Sequence, residues 1–287
     1  MHEGEMRRRI RKGNSYTRRN RWWKYVISAV IVVIYLLPIY AVIVMAFKSP
    51  QDYTPRLALP TKLYLGSFTK AIEDANILNA LKNTAIITVG VVAIEVLAGC
   101  LAAYPLARNR TKLNNFIMKF IMAIMMVPAL SIVVGVYSIL VSIRGINTYW
   151  GVILVTSAFG LPLSIFLYRN FISAIPVSLD EAATIDGAST LQTFFRVILP
   201  QLAPVTVSVI IIKGIGAWNE YAYSLYVLQK KKMFNITLTV KSIFSENVTD
   251  LNAAAAAALI GTLPTIIAYL FLQKYFIQGQ LDSAVKG

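Results

Sequence analysis

The chain has 287 residues, of which 57% are hydrophobic and only 14% are charged, and its formal net charge at pH 7 is +15. A soluble domain carries about 25% charged residues. This composition, together with several apolar runs of about 20 residues, excludes an ordinary soluble protein and predicts an all-α, polytopic membrane protein. The positive charge does not indicate nucleic-acid binding, because the Lys and Arg residues concentrate in the first 24 positions and in short connecting segments, as membrane topology requires.

Six apolar spans are predicted after a basic N-terminal segment, residues 1–24. The first span, Tyr25–Phe47, follows the basic residues as a secretory signal would, but it is too long for one and contains Pro38. We therefore interpret it as a retained span of a transmembrane domain over residues 25–277, which residues 278–287 follow as a tail. The other five spans are predicted at Leu81–Leu106, Phe116–Val141, Tyr149–Tyr168, Pro204–Leu228 and Ala253–Phe276.

The distribution of Lys and Arg predicts the orientation of the chain. Six crossings place both termini on one side of the membrane, and the segments on that side hold 17 of the 28 Lys and Arg residues. Positively charged segments stay in the cytoplasm. Both termini and the polar segment Asp180–Pro200 are therefore predicted to be cytoplasmic, with the spans in the plasma membrane. The segments Lys48–Ala80 and Gln229–Asn252 would face outward.

Common catalytic and nucleotide-binding motifs are missing from the sequence. It contains no phosphate-binding loop of the form G-x-x-x-x-G-K-[ST], no G-x-S-x-G and no H-E-x-x-H motif. Its one cysteine, Cys100, lies in an apolar run, and its one histidine, His2, lies in the basic N-terminal segment. We therefore predict that the chain is not an enzyme and that it binds no metal or cofactor itself.

The polar segment carries two sequence signals for helix starts. Ser178 followed by Glu181, and Ser189 followed by Gln192, have the three-residue spacing of a capping box. In a capping box the hydroxyl and the later side chain each accept a hydrogen bond from the other residue's backbone N–H, which fixes the first turn of a helix. The spacing predicts two short helices in close succession.

A glycine corner separates the two predicted helices. The first would end at Asp186 and Gly187, because glycine adopts the left-handed conformation without strain. The second would carry an apolar face that includes Phe194 and would end at Pro200. Residues 178–200 therefore predict a rigid helix–glycine–helix hairpin, which suits a docking element for a cytoplasmic partner. A plain helical connector has the same composition and is the alternative interpretation.

Two pairs of polar residues fall inside or at the end of predicted spans. Glu95 and Lys213 lie about 15 Å from the cytoplasmic ends of their spans at 1.5 Å per residue, which permits an ion pair inside the bundle. A lone charge costs about 2.5 kcal/mol or more at the bilayer centre, so pairing is favoured, with pathway lining and independent snorkelling as the alternatives. Asn219 and Glu220, nearer the outer end of the fifth span, are interpreted as an interfacial polar cluster, or as a gate or ligand contact.

The stretch EAATIDGASTLQTFFRVILP resembles the EAA motif of ABC importer permeases. Further stretches are similar to the MalG-type sugar permeases: Asn83-Thr84, LAAYPLAR at Leu101–Arg108, GAWNEYAYSL in the fifth span and the terminal QGQLDSAVKG. The chain thus resembles a MalG-type permease subunit of a carbohydrate ABC importer, which implies the type I ABC importer permease architecture. The EAA positions matched are Glu181, Ala182, Ala183, Asp186, Gly187, Ala188, Phe194, Leu199 and Pro200.

The resemblance implies partners and roles for these residues. Residues 178–200 would be the coupling hairpin that seats in an ATPase subunit, with Glu181 as a contact and Gly187 as the corner. Two cytoplasmic ABC ATPase subunits would bind ATP and Mg, a second, MalF-type permease would form the other half of the pathway, and an extracellular or periplasmic sugar-binding protein would deliver a carbohydrate, expected to be an oligosaccharide. The tail would contact the ATPase interface through Gln278, Ser283, Lys286 and Gly287.

Two other classes of transporter compete with this interpretation. An ABC importer permease for a non-sugar solute would share the EAA motif. A secondary transporter would need no ATPase, but it would leave the predicted hairpin unexplained, and no symmetric repeat is evident in the sequence. The identity of the sugar is not readable, because much of the sugar contact in the resembled family can lie in the partner permease.

Overall fold

The computed structural model describes residues 22–246 and 250–284. These residues form helices, joined in places by 3-10 turns at Ala129–Ile132 and Lys231–Met233 and by a π-helical turn at Phe194–Ile198. The helices are α1 (Trp22–Ala46), α2 (Gly66–Glu73), α3 (Ile77–Arg108), α4 (Lys112–Ile124), α5 (Val133–Ser142), α6 (Tyr149–Ala174), α7 (Ser178–Ile185), α8 (Thr190–Thr193), α9 (Leu199–Gln201), α10 (Ala203–Trp218), α11 (Ala222–Val227), α12 (Ile236–Glu246) and α13 (Leu251–Ala284).

Four of these helices are long and apolar enough to cross a membrane. They are α1, α3, α6 and the apolar part of α13, Leu251–Phe271. A fifth crossing is obtained if Thr190–Gln201 and Ala203–Trp218, which meet at an angle of 73°, are counted as one span. Over the described residues, the structure confirms the predicted all-α membrane fold, with four or five spans of sufficient length where the sequence predicted six.

The predicted third span, Phe116–Val141, is divided in the structure. The helix α4 ends at Ile124, and after a 3-10 turn at Ala129–Ile132 a separate helix, α5, begins at Val133. Pro128 lies in this break. A proline has no backbone N–H, and it pushes the residue before it out of the helical conformation. The apolar run therefore predicted one long helix where the structure has two shorter ones.

The helix α3 lies at the centre of the bundle, packed against α6 and α10. Buried side chains surround both of its halves. One cluster, which includes Cys100 and Phe194, lies at the end of the bundle that carries residues 178–200, which we call the hairpin end. The other includes Ile87 and lies at the opposite end, which we call the loop end because it carries residues 229–246. The two ends of α3 thus reach the two regions that connect the spans.

A run of alanines brings α13 close to its neighbours. Ala253 to Ala257 are all buried, and they pack against Ala46 of α1 and Ala71 of α2. Small side chains allow membrane helices to approach closely and to gain van der Waals contact. The first and last spans are held together in this way.

Candidate functional site

The polar segment forms a hairpin of two helical arms around a glycine corner, as predicted. The helix α7 ends at Ile185, and Gly187 adopts the left-handed conformation with φ +82°. The Gly187 N–H donates to the Thr184 carbonyl over 3.0 Å, and the Ala188 N–H donates to the Ala183 carbonyl over 2.9 Å. A Cβ atom at position 187 would meet nothing within 4 Å. The glycine is therefore required by its backbone conformation and not by packing within the chain.

Only one of the two predicted capping boxes is present. The Ser189 hydroxyl accepts from the Gln192 N–H over 3.4 Å, and the Gln192 side chain accepts from the Ser189 N–H over 2.8 Å, so the second box is confirmed. The prediction for Ser178 and Glu181 is wrong, because the chain is already helical at Val177 and no side chain caps α7. Backbone carbonyls of the preceding residues accept the first N–H groups of α7 instead.

The second arm does not end at Pro200, where the sequence predicted its end. Thr190–Gln201 runs as one helix with a π-helical turn at Phe194–Ile198, and Pro200 lies in the first turn after it. A proline is tolerated in the first turn of a helical segment because its missing N–H has no helical partner there. The chain then bends by 73° into α10. The hairpin is consequently joined to α10 through a bend.

The residues of the EAA stretch divide into a buried and an exposed set. Phe194 and Ala183 are buried, and the Phe194 ring lies 5.2 Å from that of Tyr104 in α3. The free surface of the hairpin is mixed: Ile185 is 85% exposed and Leu191 is 66% exposed, and exposed polar residues such as Glu181 and Gln192 lie among them. Two large apolar side chains exposed near a fixed corner, outside the spanning helices, suit contact with another protein. Of the remaining matched positions, Glu181, Ala182, Asp186, Gly187 and Pro200 are exposed, and Ala188 and Leu199 are partly exposed.

Two side chains at the end of α3 hold the first turn of α7. The Arg108 Nη2 atom lies 2.8 Å from Asp180 Oδ2, and the Tyr104 hydroxyl donates to Asp180 Oδ1 over 2.6 Å. The Arg108 Nη1 atom also donates to the carbonyls of Ile172 and Ile175, at 3.0 and 2.9 Å. Sequence reasoning missed this contact, because it joins residues far apart in the chain. The LAAYPLAR stretch is the only sequence signal that points to it.

The structure brings Glu95 and Lys213 together in the middle of the bundle. Lys213 Nζ lies 3.5 Å from Glu95 Oε2 and donates to the Gly160 carbonyl, and the Ser164 hydroxyl donates to Glu95 Oε2 over 2.5 Å. Glu95 is 0% exposed. Both charges thus have polar partners inside the protein, and neither has to reach the bilayer surface to be solvated. The ion pair links α3, α6 and α10.

Gly160 in α6 has no side chain, which leaves space for this ion pair. A Cβ atom at Gly160 would overlap Glu95 Oε1 and would lie 3.0 Å from Lys213 Nζ. On α3, a Cβ atom at Gly99 would lie 3.1 Å from the Ser164 Cβ atom. Both glycines therefore serve close approach between the two helices. No local sequence pattern distinguishes Gly160, and sequence reasoning did not select it.

Glu220 acts as a cap for α11. Its carboxylate accepts the backbone N–H groups of Tyr223 and Ser224, at 2.6 and 2.9 Å, and also the Ser224 hydroxyl. Asn219 is exposed and donates to the Ile215 carbonyl of its own helix over 2.9 Å. The predicted fifth span is therefore broken at Asn219, because α10 ends there and the Glu220 carboxylate starts a new helix. The hydrogen bonds of both side chains are thus satisfied within the chain, and a role in a gate or a sugar contact stays a prediction.

Neutral hydrogen bonds from α3 hold the loop end. The Asn83 amide donates to the carbonyls of Lys232 and Phe234, at 3.0 and 2.8 Å, and accepts from the Tyr149 hydroxyl over 2.6 Å. The Thr84 hydroxyl accepts the first backbone N–H of α12 over 2.8 Å. The Asn83-Thr84 pair is thus a structural anchor for the loop. In the sequence, only its similarity to the sugar permeases singled it out.

Some of the predicted contacts concern residues without described side chains. Gln278 and Ser283 belong to α13, which continues beyond the predicted span end at Phe276, but only their backbone is described. Lys286 and Gly287 lie outside the described residues. The tail contact therefore stays a prediction. In the part of the chain that the structure describes, no group of three or more His, Cys, Asp or Glu side chains is placed to hold a metal ion.

Known proteins resemble this chain over most of its length. A family model described as binding-protein-dependent transport system inner membrane component matches residues 95–281. The melibiose/raffinose/stachyose import permease protein MelC of Bacillus subtilis is 37% identical over 262 residues, which cover 91% of this chain and 95% of MelC. The multiple sugar-binding transport system permease protein MsmG of Streptococcus mutans is 30% identical over 272 residues, which cover 93% of this chain and 98% of MsmG.

The fold is also found in a solved structure. One chain of a bacterial ABC transporter involved in the import of the acidic polysaccharide alginate superimposes with a TM-score of 0.77. The two chains are 21% identical, and the match covers 90% of this chain and 98% of that chain. The architecture is therefore that of an ABC importer permease.

Proposed function

Because this chain belongs to the family of binding-protein-dependent transport system inner membrane components, as a multi-pass sugar ABC importer permease of the plasma membrane, we propose that it is the MalG-type half of an ATP-driven importer. A second, MalF-type permease would form the other half of the pathway. Two cytoplasmic ABC ATPase subunits would bind ATP and Mg, while this chain would bind no cofactor and hydrolyse no ATP. The observation that carries the proposal is the shape and surface of the hairpin over residues 178–200.

The hairpin has the properties of a docking element. Its two arms are fixed by the left-handed corner at Gly187 and by the capping box of Ser189 and Gln192. Its free surface exposes Ile185 and Leu191, and the space beside Gly187 is open. A connector that touches no partner gains nothing from exposed apolar side chains on a rigid corner. We therefore assign the hairpin to the ATPase contact, and the tail residues 278–287 to a contact near it.

The two ends of the bundle would face different partners. The excess of Lys and Arg on the side of the termini supports a cytoplasmic hairpin end. The loop end would then face outward, where the segment Gln229–Asn252 would meet the sugar-binding protein on which a transport system of this family depends. In this orientation α3 runs from the outer to the cytoplasmic face.

The substrate that we propose is an oligosaccharide. MelC is named for melibiose, raffinose and stachyose, and MsmG for multiple sugars. A groove of about 610 Å³ between α3, α10 and α13 is lined almost entirely by apolar side chains, among them Val92 and Ile211. A sugar needs hydrogen-bond partners for its hydroxyls, so this groove does not suit it. We assign the sugar contacts to the pathway formed jointly with the second permease.

The proposal is tested on the complete importer. The tagged chain is co-expressed with its second permease, ATPase and binding-protein genes, purified as a complex and reconstituted in proteoliposomes. Uptake of labelled melibiose, raffinose or stachyose is expected to require both ATP and the binding protein, and the loaded binding protein is expected to raise ATP hydrolysis. Sugar uptake that an ion gradient drives without ATP would instead assign the chain to the secondary transporters.

Variants at Gly187 test the docking role of the hairpin. Gly187→Asp and Gly187→Asn add bulk at the open corner, and Asn tolerates the left-handed conformation better than most residues. Docking against the ATPase predicts that both variants insert normally but lose most transport. Gly135→Ala is the control, because a Cβ atom at Gly135 also meets nothing within 4 Å. Normal transport by Gly187→Asn would show that the corner needs only its backbone conformation, which would contradict the close contact.

A further inference from the structure

We propose that Tyr104 and Arg108 are positioning residues that lock the hairpin to α3, so that α3 follows each movement of the hairpin. The inference rests on the proposed function, because it assigns the route by which an ATPase-driven movement reaches the spans. Both residues lie outside the EAA stretch. We call the contacts of Tyr104 and Arg108 with Asp180 the clamp.

The covalent connections of the hairpin are both bent. On the side of α6, Ile175 is extended, with φ −78° and ψ 129°, and Pro176 follows it. On the side of α10, the chain bends by 73°. Neither connection is a straight helix, so neither transmits a movement of the hairpin to its span along a helix axis. A non-covalent contact therefore decides which span moves rigidly with the hairpin.

The clamp engages both oxygens of one carboxylate. Arg108 lies 2.8 Å from Asp180 Oδ2, and Tyr104 donates to Asp180 Oδ1 over 2.6 Å. Tyr104 and Arg108 are four positions apart in α3, so they lie on the same face of the helix. The side chains of Arg108 and Asp180 are only 10% and 15% exposed, and a charge-assisted contact shielded from water is strong and weakly screened by salt. Two contacts to one carboxylate fix the rotation of α7 as well as its distance from α3.

The Arg108 guanidinium joins three helix ends. Besides Asp180 it binds the carbonyls of Ile172 and Ile175, at the end of α6 and just beyond it. A positive charge stabilises the C-terminal ends of α3 and α6, and the negative charge of Asp180 stabilises the N-terminal end of α7. A planar fork of several N–H donors can make these contacts together, whereas the single ammonium of a lysine cannot hold the same geometry.

The helix α3 extends from the clamp to the ion pair. Arg108 and Glu95 lie on one helix, about 20 Å apart along its axis at 1.5 Å per residue. Glu95 contacts Ser164 in α6 and Lys213 in α10. A displacement of the hairpin that moves α3 therefore changes the packing of the spans at mid-membrane, where the pathway must open and close.

The test measures sugar transported per ATP hydrolysed by the reconstituted importer. Asp180→Asn removes the charge of the clamp, and Tyr104→Phe removes one hydroxyl while the ring keeps its place beside Phe194, 5.2 Å away. Loss of coupling is expected to lower transport per ATP by about 5-fold to 100-fold in Asp180→Asn and less in Tyr104→Phe, with assembly and ATP hydrolysis retained. Arg110→Gln removes an exposed positive charge two positions beyond Arg108 and is expected to keep the wild-type ratio.

A purely structural contact would give a different result. It would lower assembly, ATP hydrolysis and transport together and leave transport per ATP unchanged, and that outcome in Asp180→Asn overturns the clamp. If the Asp180→Asn complex does not assemble, Tyr104→Phe decides, and a wild-type ratio there overturns the clamp as well. Absence of ATP-driven uptake by the wild-type complex would instead contradict the proposed function, before any variant is compared.

Discussion

The two ends of α3 are held by opposite kinds of chemistry. At the hairpin end, a guanidinium and a phenol bind one carboxylate, so that charged side chains connect separate helices. At the loop end, the Asn83 amide binds the backbone carbonyls of Lys232 and Phe234, and no charged side-chain group takes part in these bonds. The contact at the hairpin end requires the side chain of Asp180, so a substitution there removes it. The contact at the loop end is made to backbone carbonyls, so it does not depend on which side chains the loop carries.

The difference in chemistry is also a difference in strength. A hydrogen bond to a charged group contributes about 1.5–3 kcal/mol to stability, and a neutral one about 0.5–1.5 kcal/mol. Each contact to Asp180 at the hairpin end is therefore worth more than each neutral bond at the loop end.

The largest effect is expected between the two ends, at the ion pair. Glu95→Gln leaves the Lys213 ammonium buried without its counter-charge, which costs about 3–5 kcal/mol. We expect a large loss of assembled complex and a lower unfolding temperature in detergent. Adding Lys213→Met to Glu95→Gln removes both charges together and should recover most of the loss.

The exposed Glu73→Gln is the control for removal of a carboxylate, and it is expected to behave as the wild type. A double variant no more stable than Glu95→Gln alone would show that the two side chains act independently.

A smaller effect is expected at the loop end. Asn83→Leu removes three neutral hydrogen bonds, worth about 2–4 kcal/mol in sum. The loop should then be cut faster by trypsin at Lys230–Lys232, added to the outer face of intact cells, while ATPase binding at the hairpin end stays unchanged. Asn79→Ala, which removes one bond of 2.8 Å to the Lys232 carbonyl, should give an intermediate rate. Equal cleavage of wild type and Asn83→Leu would disprove the anchor.

The smallest effect is expected at a surface pair of the loop end, in which Lys70 Nζ lies 2.7 Å from Asp250 Oδ2. Burial raises the pKa of Asp250, but hydrogen bonds from Lys70 and the Ala253 N–H outweigh it, so that the pKa lies below its ordinary value of 3.8. The same hydrogen bond raises the pKa of Lys70 above 10.5. The pair therefore stabilises the fold between these limits. Its contribution is lost as the pH falls through the lowered pKa of Asp250 or rises through the raised pKa of Lys70.

Asp250→Asn should consequently lower the stability at pH 7 by less than about 1 kcal/mol. The difference from the wild type should shrink as the pH falls below 3.8. Thermal unfolding of the detergent-purified complex from neutral to acidic pH measures this difference, and a constant difference over that range would assign the effect to something other than the ion pair.

Local patterns predicted the hairpin well and its attachment not at all. The corner at Gly187 and the cap at Ser189 depend on residues at most a few positions away, so their chemistry is visible in the sequence. The clamp on Asp180 and the space beside Gly160 depend on contacts between distant segments. The spans and the EAA stretch could therefore be located from the sequence, but the groups that join the hairpin to the bundle could not.

Two of the wrong predictions, those for Ser178 and Pro200, have a common cause. Ser178 has the spacing of a cap, but the chain is already helical at Val177, so the N–H groups that the hydroxyl would bind are taken by the backbone. Pro200 was expected to stop a helix, but it lies in a first turn after the π-helical turn, where a proline is allowed. In each case the conformation of the neighbouring residues overrode the intrinsic preference of one side chain.

The burial of Cys100 has a practical consequence for following the hairpin. It is the one cysteine of the sequence, and it is 3% exposed in the core of the hairpin end. A buried thiol is inert towards water-soluble maleimides. Arg196→Cys, at an exposed position of the second arm, therefore places a single reactive label on the hairpin without replacing a core residue or either exposed apolar residue near the corner. Fluorescence or spin-label distances to the proposed ATPase partner can then be recorded on an otherwise natural chain.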